Sequence, residues 1–287
     1  MRENAISLKC ALALLLATVV VSARAQGDAK RGEYLAKASG CIGCHTEEKK
    51  DAVAFAGGRG LKTPFGTFYG PNITPHPQAG IGRWTEADFV RAMRLGDRPD
   101  GKNYFPAFPY PSLAKVSDGD LRDLWAYLRT LPPSAQPSKE HDLWFFLGWR
   151  WLVGAWKWFF FTPGPFTAIP GASDIVNRGA YLVQALGHCG ECHTPRNFMG
   201  GPKTSRFLAG GKGPDGKDVA NLTPTGLKKW SDKDLTDFLT TGITPEGDVP
   251  AETMGEVITN TTSQLTPADL AALLAYLRTL APVPNEK

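Results

Sequence analysis

The chain has 287 residues and 42% hydrophobic content, enough for two compact domains. Its formal net charge of +4 is modest, and no dense Lys/Arg run interleaves with aromatics, which argues against nucleic acid as a partner. Of five cysteines, Cys10 lies in the N-terminal segment and the other four form two Cys-x-x-Cys pairs, leaving none for a structural disulfide.

Residues 1–25 read as a secretory signal peptide. Arg2 and Lys9 precede an apolar run from Ala11 to Val21, and Ala23-Arg24-Ala25 offers the small residues of a cleavage site. The run is short for a membrane span. The mature chain is therefore expected to begin at Gln26 and to be periplasmic, with peripheral association to the cytoplasmic membrane left open.

The first domain is placed at 26–135. Asp28 to Gly40 predicts a short amphipathic helix with Tyr34 and Leu35 facing inward. It runs into Cys41-Ile-Gly-Cys-His45. Cys-x-x-Cys-His marks c-type haem attachment: two thioethers hold the macrocycle, and the adjoining histidine gives one axial nitrogen to iron. A lone copy would leave a redox dithiol open. Zinc needs neither this tight spacing nor its repetition.

From Ala54 to Gly82 the chain is rich in Gly and Pro, with no sustained period, and reads as a loop around a haem edge. Thr85 caps a helix over Glu86–Leu95, with Asp88 completing a capping box and Gly96 ending it. After a second loop, Ser117 caps a helix from Asp118 to Leu131. Its apolar stripe is Leu121, Leu124, Trp125 and Leu128, and Pro132-Pro133 stop it.

An aromatic-rich connector is placed at 136–172. Its stretch 143–161 holds five of the eight tryptophans, together with Arg150 and Lys157. Those two charges would be expensive in lipid, so a full span is the least favoured reading. Burial against the two domains and an exposed face docking a membrane protein or bilayer compete, and the two can coexist.

The second domain, 173–287, repeats the order. Arg178-Gly-Ala-Tyr-Leu182 answers Arg31-Gly-Glu-Tyr-Leu35, Cys189-Gly-Glu-Cys-His193 answers the first motif, and Tyr276-Leu-Arg-Thr-Leu280 answers Tyr127-Leu-Arg-Thr-Leu131. Two matching motifs in two matching halves make the haem reading strong. Cys41, Cys44, Cys189 and Cys192 are then the attachment residues, with His45 and His193 as proximal ligands.

Beyond the leader, the donors for an opposite axial position are Met93, Met199, Met254, His76, His141 and His188. Met254, in a Gly/Pro-bearing loop before the last helix, is the choice for the second haem, where a thioether would raise the potential relative to a second histidine. Met199 and His188 lie too close to their own motif to cross the haem. For the first haem, the position matching Met254 is Phe108, which cannot ligate iron. His76, Met93 and an open position remain in competition there.

With these blocks placed, the chain resembles the cytochrome c subunits of membrane-associated bacterial alcohol, aldehyde and gluconate dehydrogenases. The resemblance rests on Cys41-x-x-Cys-His45, Asn72-Ile-Thr-Pro75, Gly80-Ile-Gly-x-Trp84, Phe105-Pro-Ala-Phe-Pro-Tyr110 and Asp120 to Leu131. Thr194-Pro-Arg-Asn197 and Met254-Gly-Glu-Val257 carry it in the second half. It implies an all-α fold of tandem class I cytochrome c domains. It also implies electron transfer from a dehydrogenase to quinone, another cytochrome or an oxidase. Many such subunits look like three-haem proteins, whereas this chain has two motifs, and the family loop normally carries methionine where Phe108 stands. The expectation is thus two covalently bound haem c groups in a non-catalytic subunit. The alternatives are peroxidase-like or small-ligand chemistry at an open first haem, or an anchoring role in a redox complex.

Overall fold

The computed structural model describes residues 27–213, 216–250 and 252–285; the leader reading of residues 1–25 lies outside them. Helix α1 (Ala29–Ala38) starts where the Asp28 carboxylate accepts the N–H groups of Lys30 and Arg31. The short helix α2 (Cys41–His45) follows after Gly40 turns the chain at φ 59°. Strands β1 (Gly60–Thr63) and β2 (Gly66–Tyr69) form an antiparallel hairpin. Helix α3 (Glu86–Leu95) has the expected capping box of Thr85 with Asp88 and ends at Gly96. Helix α4 (Tyr110–Leu113) is a single turn, and α5 (Asp118–Leu128) is capped by Ser117.

The hairpin corrects the reading of 54–82 as wholly irregular. Its strands are four residues each, too short for an alternating pattern to be seen in sequence. The two-residue strand β3 (Asp142–Leu143) returns to pair with the free edge of β2.

Helix α6 (Trp151–Phe160) forms the middle of the connector. The second half then repeats the first. Helix α7 (Asp174–Tyr181) continues through one π turn at Leu182–Leu186, and α8 (Gly190–His193) carries the second motif. Strands β4 (Gly211–Lys212) and β5 (Asp218–Val219) pair antiparallel. Helices α9 (Pro224–Leu227), α10 (Asp232–Thr241), α11 (Glu252–Asn260) and α12 (Pro267–Thr279) complete the fold.

In each half the first helix crosses the last at a glycine. A Cβ on Gly32 would lie 1.9 Å from the Asp123 carbonyl oxygen of α5. A Cβ on Gly179 would lie 1.9 Å from that of Ala272 in α12. Only glycine permits these backbones to approach so closely. Buried Leu35, Phe89, Leu121 and Leu124 from the first half and Leu182, Leu186, Leu270 and Leu277 from the second share one continuous apolar cluster. Burial of such side chains is the main favourable term in folding.

Polar contacts cross the same junction with twofold-like reciprocity. Tyr34 Oη donates to Asp269 Oδ2 at 2.5 Å, and Tyr181 Oη donates to Asp120 Oδ2 at 2.5 Å. Within each half, Arg31 pairs with Asp120 and Asp123, and Arg178 pairs with Asp269. Tyr34 and Leu35 both face inward as expected, Leu35 into the core and Tyr34 onto the junction with the other half.

The connector is buried on one side and exposed on the other. Val153 and Trp156 are buried, Trp156 Nε1 donates to Met199 O at 3.1 Å, and the Phe160 ring covers Gly201. Arg150 and Lys157, puzzling for an apolar stretch, reach back to the first half. Arg150 donates to Asn103 O at 2.8 Å and lies over the Phe105 ring, whereas Lys157 donates to Gly96 O and to Asp97 Oδ1 at 2.7 Å. On the other side Phe145 is 83% exposed and Trp158 79% exposed. No helix among the described residues is long and apolar enough to cross a membrane.

Candidate haem sites

The two Cys-x-x-Cys-His segments occupy equivalent short helices, each entered through a left-handed residue, Gly40 in the first half and His188 in the second. His45 Nδ1 donates to Pro71 O at 2.8 Å, and His193 Nδ1 donates to Ala220 O at 2.7 Å. A carbonyl only accepts, so the ring proton sits on Nδ1 and the Nε2 lone pair is left as the ligand atom. Burial, partly opposed by these bonds, holds both imidazoles below their ordinary pKa, so they stay neutral at pH 7.

The carbonyls that brace the histidines are themselves held. Buried Asn72 follows Pro71; its Oδ1 accepts Thr74 N and Oγ1 at 2.9 and 2.7 Å, and its Nδ2 donates to Ser134 O and Gln136 O, each at 2.8 Å. Buried Asn221 follows Ala220 and does the same with Thr223 and Val283 O. Asn72-Ile-Thr-Pro75 thus has an echo in Asn221-Leu-Thr-Pro224 that sequence reasoning missed. The signal was present as a repeated Asn-x-Thr-Pro, 149 residues apart.

Cys41, Cys44, Cys189 and Cys192 are not in disulfides, and all are half-exposed. Burial nevertheless pushes the thiols of Cys41 and Cys189 up to about 12. Half-buried Ile73, Trp84, Phe108 and Trp125 extend the apolar surface in the first half, as Leu222, Trp230, Phe238 and Met254 do in the second. Thiols, an oriented imidazole and an apolar cradle fit a thioether-bound haem. Among the described residues, no three His, Cys, Asp or Glu side chains gather as metal donors, so the set for a cysteine-rich zinc site is not assembled.

Met254 stands in the first turn of helix α11 rather than in a loop, half-buried against the core. Met93 is buried on α3 and matches buried Leu239 on α10, as a core residue should. Met199 is exposed on the loop that meets the connector. His76 Nδ1 accepts the N–H groups of Gln78 and Ala79, capping a turn five residues beyond the Pro71 carbonyl that braces His45. His141 Nδ1 accepts Tyr69 N–H at 3.1 Å beside the Phe68 and Phe105 rings. Burial, then Arg150 and Arg98, hold it down to about 4, a neutral packing residue. Phe108 is half-buried between Tyr104 and Tyr110.

Residues 29–132 and 176–281 each match the family described as cytochrome c. The chain belongs to the cytochrome c family. This cytochrome is 44% identical over 257 residues to a protein of Cereibacter sphaeroides named diheme cytochrome c-type, covering 88% of this chain and 86% of that one. It is 40% identical over 270 residues to the cytochrome c subunit of an alcohol dehydrogenase (quinone) from Gluconacetobacter polyoxogenes, covering 89% and 56%. It is 38% identical over 293 residues to the gluconate 2-dehydrogenase cytochrome c subunit of Pantoea cypripedii, covering 95% and 65%. The chain thus spans most of the first relative and between half and two thirds of the two dehydrogenase subunits. Two tandem, mostly helical cytochrome c domains joined by an aromatic connector are the architecture, and the relatives are named as a diheme cytochrome and as cytochrome c subunits of dehydrogenases.

Proposed function

We propose that this cytochrome carries two covalently bound haem c groups and relays single electrons from a periplasmic or membrane-bound dehydrogenase to quinone, another cytochrome or an oxidase. The observation that carries the reading is the duplicated site, with each motif histidine fixed through Nδ1 by a backbone carbonyl so that its Nε2 lone pair is left to ligate. Bound haem supplies reversible one-electron chemistry. The protein's own part is to orient the imidazoles, keep them neutral and exclude water with the half-buried aromatics. Cys41, Cys44, Cys189 and Cys192 hold the macrocycles, His45 and His193 are the proximal ligands, and Met254 is the distal ligand of the second haem. His76, whose Nδ1 accepts the N–H groups of its own turn so that the ring proton sits on Nε2, is disfavoured for the first haem, whose distal position is read as open or water-bound. A spectroelectrochemical titration tests this: two separate one-electron transitions are expected, and a single transition would contradict it.

A second feature favours peripheral membrane association. The outward face of 143–161 exposes Trp144, Trp149, Trp151, Trp158 and Phe159, and the neighbouring loop adds Phe198, 92% exposed. Tryptophan of this kind settles at bilayer interfaces. The chain should co-sediment with phospholipid vesicles, and replacing Trp158 and Phe159 by serine should abolish this without altering the haem spectrum.

A further inference from the structure

His188 connects the two attachment segments directly, and its backbone is held where a histidine is disfavoured. Its φ is 37°; the matching place in the first half, just before Cys41, is Gly40 at φ 59°. Glycine meets that demand without steric cost, whereas a side chain is kept there against strain. The imidazole Nε2–H reaches across the junction and donates to Ser39 O at 3.2 Å. Ser39 is buried and lies two residues before Cys41, while His188 directly precedes Cys189.

The surrounding contacts hold this juxtaposition in place. Ser112 Oγ donates to Glu191 Oε1 at 2.5 Å, tying the second motif to the first half. Arg59 Nη2 pairs with Glu256 Oε1 at 2.7 Å, tying the loop beside the first motif to helix α11. A Cβ on Gly40 would come within 2.7 Å of Thr261 Oγ1, so the first motif also rests against the second half.

We propose that His188 is a positioning residue for electron exchange between the two haems, its imidazole bridging the Cys189 and Cys41 segments through the Ser39 carbonyl. The proposal rests on the reading above that both motifs carry haem. Electronic coupling decays steeply across gaps and more slowly along covalent bonds and hydrogen bonds. The route from Cys189 through His188 to Ser39, Gly40 and Cys41 contains a single hydrogen bond and is otherwise covalent. One electron leaves a ferrous centre, which becomes ferric, and reduces a ferric centre to ferrous. The imidazole neither gains nor loses an electron, and no bond or proton is exchanged.

The test uses the full two-haem chain. A pulse of a one-electron reductant is delivered, and equilibration between the haems is followed optically, alongside both midpoint potentials. His188→Gly gives the position the residue that the first half already uses and removes only the bridge. Equilibration should slow several-fold with both potentials and the spectra unchanged. His188→Asn, which tolerates a left-handed backbone and supplies an N–H donor, should restore the rate. Equal rates in the wild type and the glycine variant would overturn the proposal. So would a slowed rate that merely follows a shifted potential. If neither haem takes up an electron, the electron-transfer reading itself fails, whatever residue stands at 188.

Discussion

Tyr34 and Asp269 meet at 2.5 Å across the junction of the two halves, and Tyr181 returns the same bond to Asp120. Each first-helix tyrosine thus donates to the last-helix aspartate of the opposite half, while an arginine holds that aspartate from its own half. The two domains are keyed to one another by a matched pair of charge-assisted hydrogen bonds. Replacing Tyr34 by Phe should cost about 1.5–3 kcal/mol, the range for a hydrogen bond to a charged group. Denaturant titration of the haem-loaded chain measures it, and Tyr181→Phe should cost a similar amount.

The same site gives a pH dependence. Burial pushes the Asp269 carboxyl up, but bonds from Arg178 and Tyr34 more than reverse this and leave it below the usual carboxylate range. A carboxylate depressed in the folded state stabilises above its unfolded pKa, about 4, and that contribution is lost as pH falls through the folded value. Stability should therefore decline below pH ~4. Asp269→Asn should be less stable near neutrality and show a shallower acid decline. An unchanged acid slope in that variant would remove Asp269 from the account.

The helix crossings admit no side chain at two positions. Gly32→Ala and Gly179→Ala each force a methyl group onto a backbone carbonyl 1.9 Å away, so the helices must part. Overpacking of this kind costs ~1–3 kcal/mol or more. Thermal melts should show both variants well below the wild type, whereas Gly148→Ala, with open space around it and no left-handed backbone to strain, should lose far less.

Asn72 and Asn221 set the histidines through the carbonyls that precede them. Asn72→Ala leaves the Thr74 and Ser134 groups without their partner. The expected cost is ~1–3 kcal/mol for each buried group left unsatisfied. The distinctive outcome is spectroscopic: the ferric resonance of the first haem should broaden while that of the second is unchanged. Asn221→Ala should do the reverse.

On the proposed ligation of the second haem by Met254, Met254→Ala removes the thioether donor to that iron. The second haem should then bind carbon monoxide when reduced, and its potential should fall, since a thioether raises it relative to stronger donors. Retention of the low-spin signature in this variant would show that another group completes that iron.

Much of the fold was legible because helix ends carry local chemistry. Thr85 with Asp88, Gly96 and Ser117 are short-range signals, and the structure ends or begins helices at those residues. The motif pair was equally plain, since haem attachment demands a fixed run of five residues. Short strands escaped notice because four residues cannot display a period, and β3 depends on pairing with β2 some 75 residues away. That Tyr34 turns inward was legible, but its partner Asp269 was not, because that residue lies 235 positions away in the other half. The repeated Asn-x-Thr-Pro marked Asn72 and Asn221 as paired positions, but not the bracing role of Asn72, because its partners Ser134 and Gln136 arrive from beyond the last helix of the domain. Arg150 and Lys157 were read as obstacles to a membrane span; the structure shows them as the anchors of the connector on the first half.

The most direct measurement is the intact mass of the purified chain after denaturation in acidic organic solvent. A mass equal to the polypeptide plus two haem groups, lowered by one haem when Cys41 and Cys44 are replaced by alanine, is the predicted result. A mass matching bare polypeptide, with all porphyrin released into the solvent, would contradict the covalent attachment on which electron relay through these two sites depends.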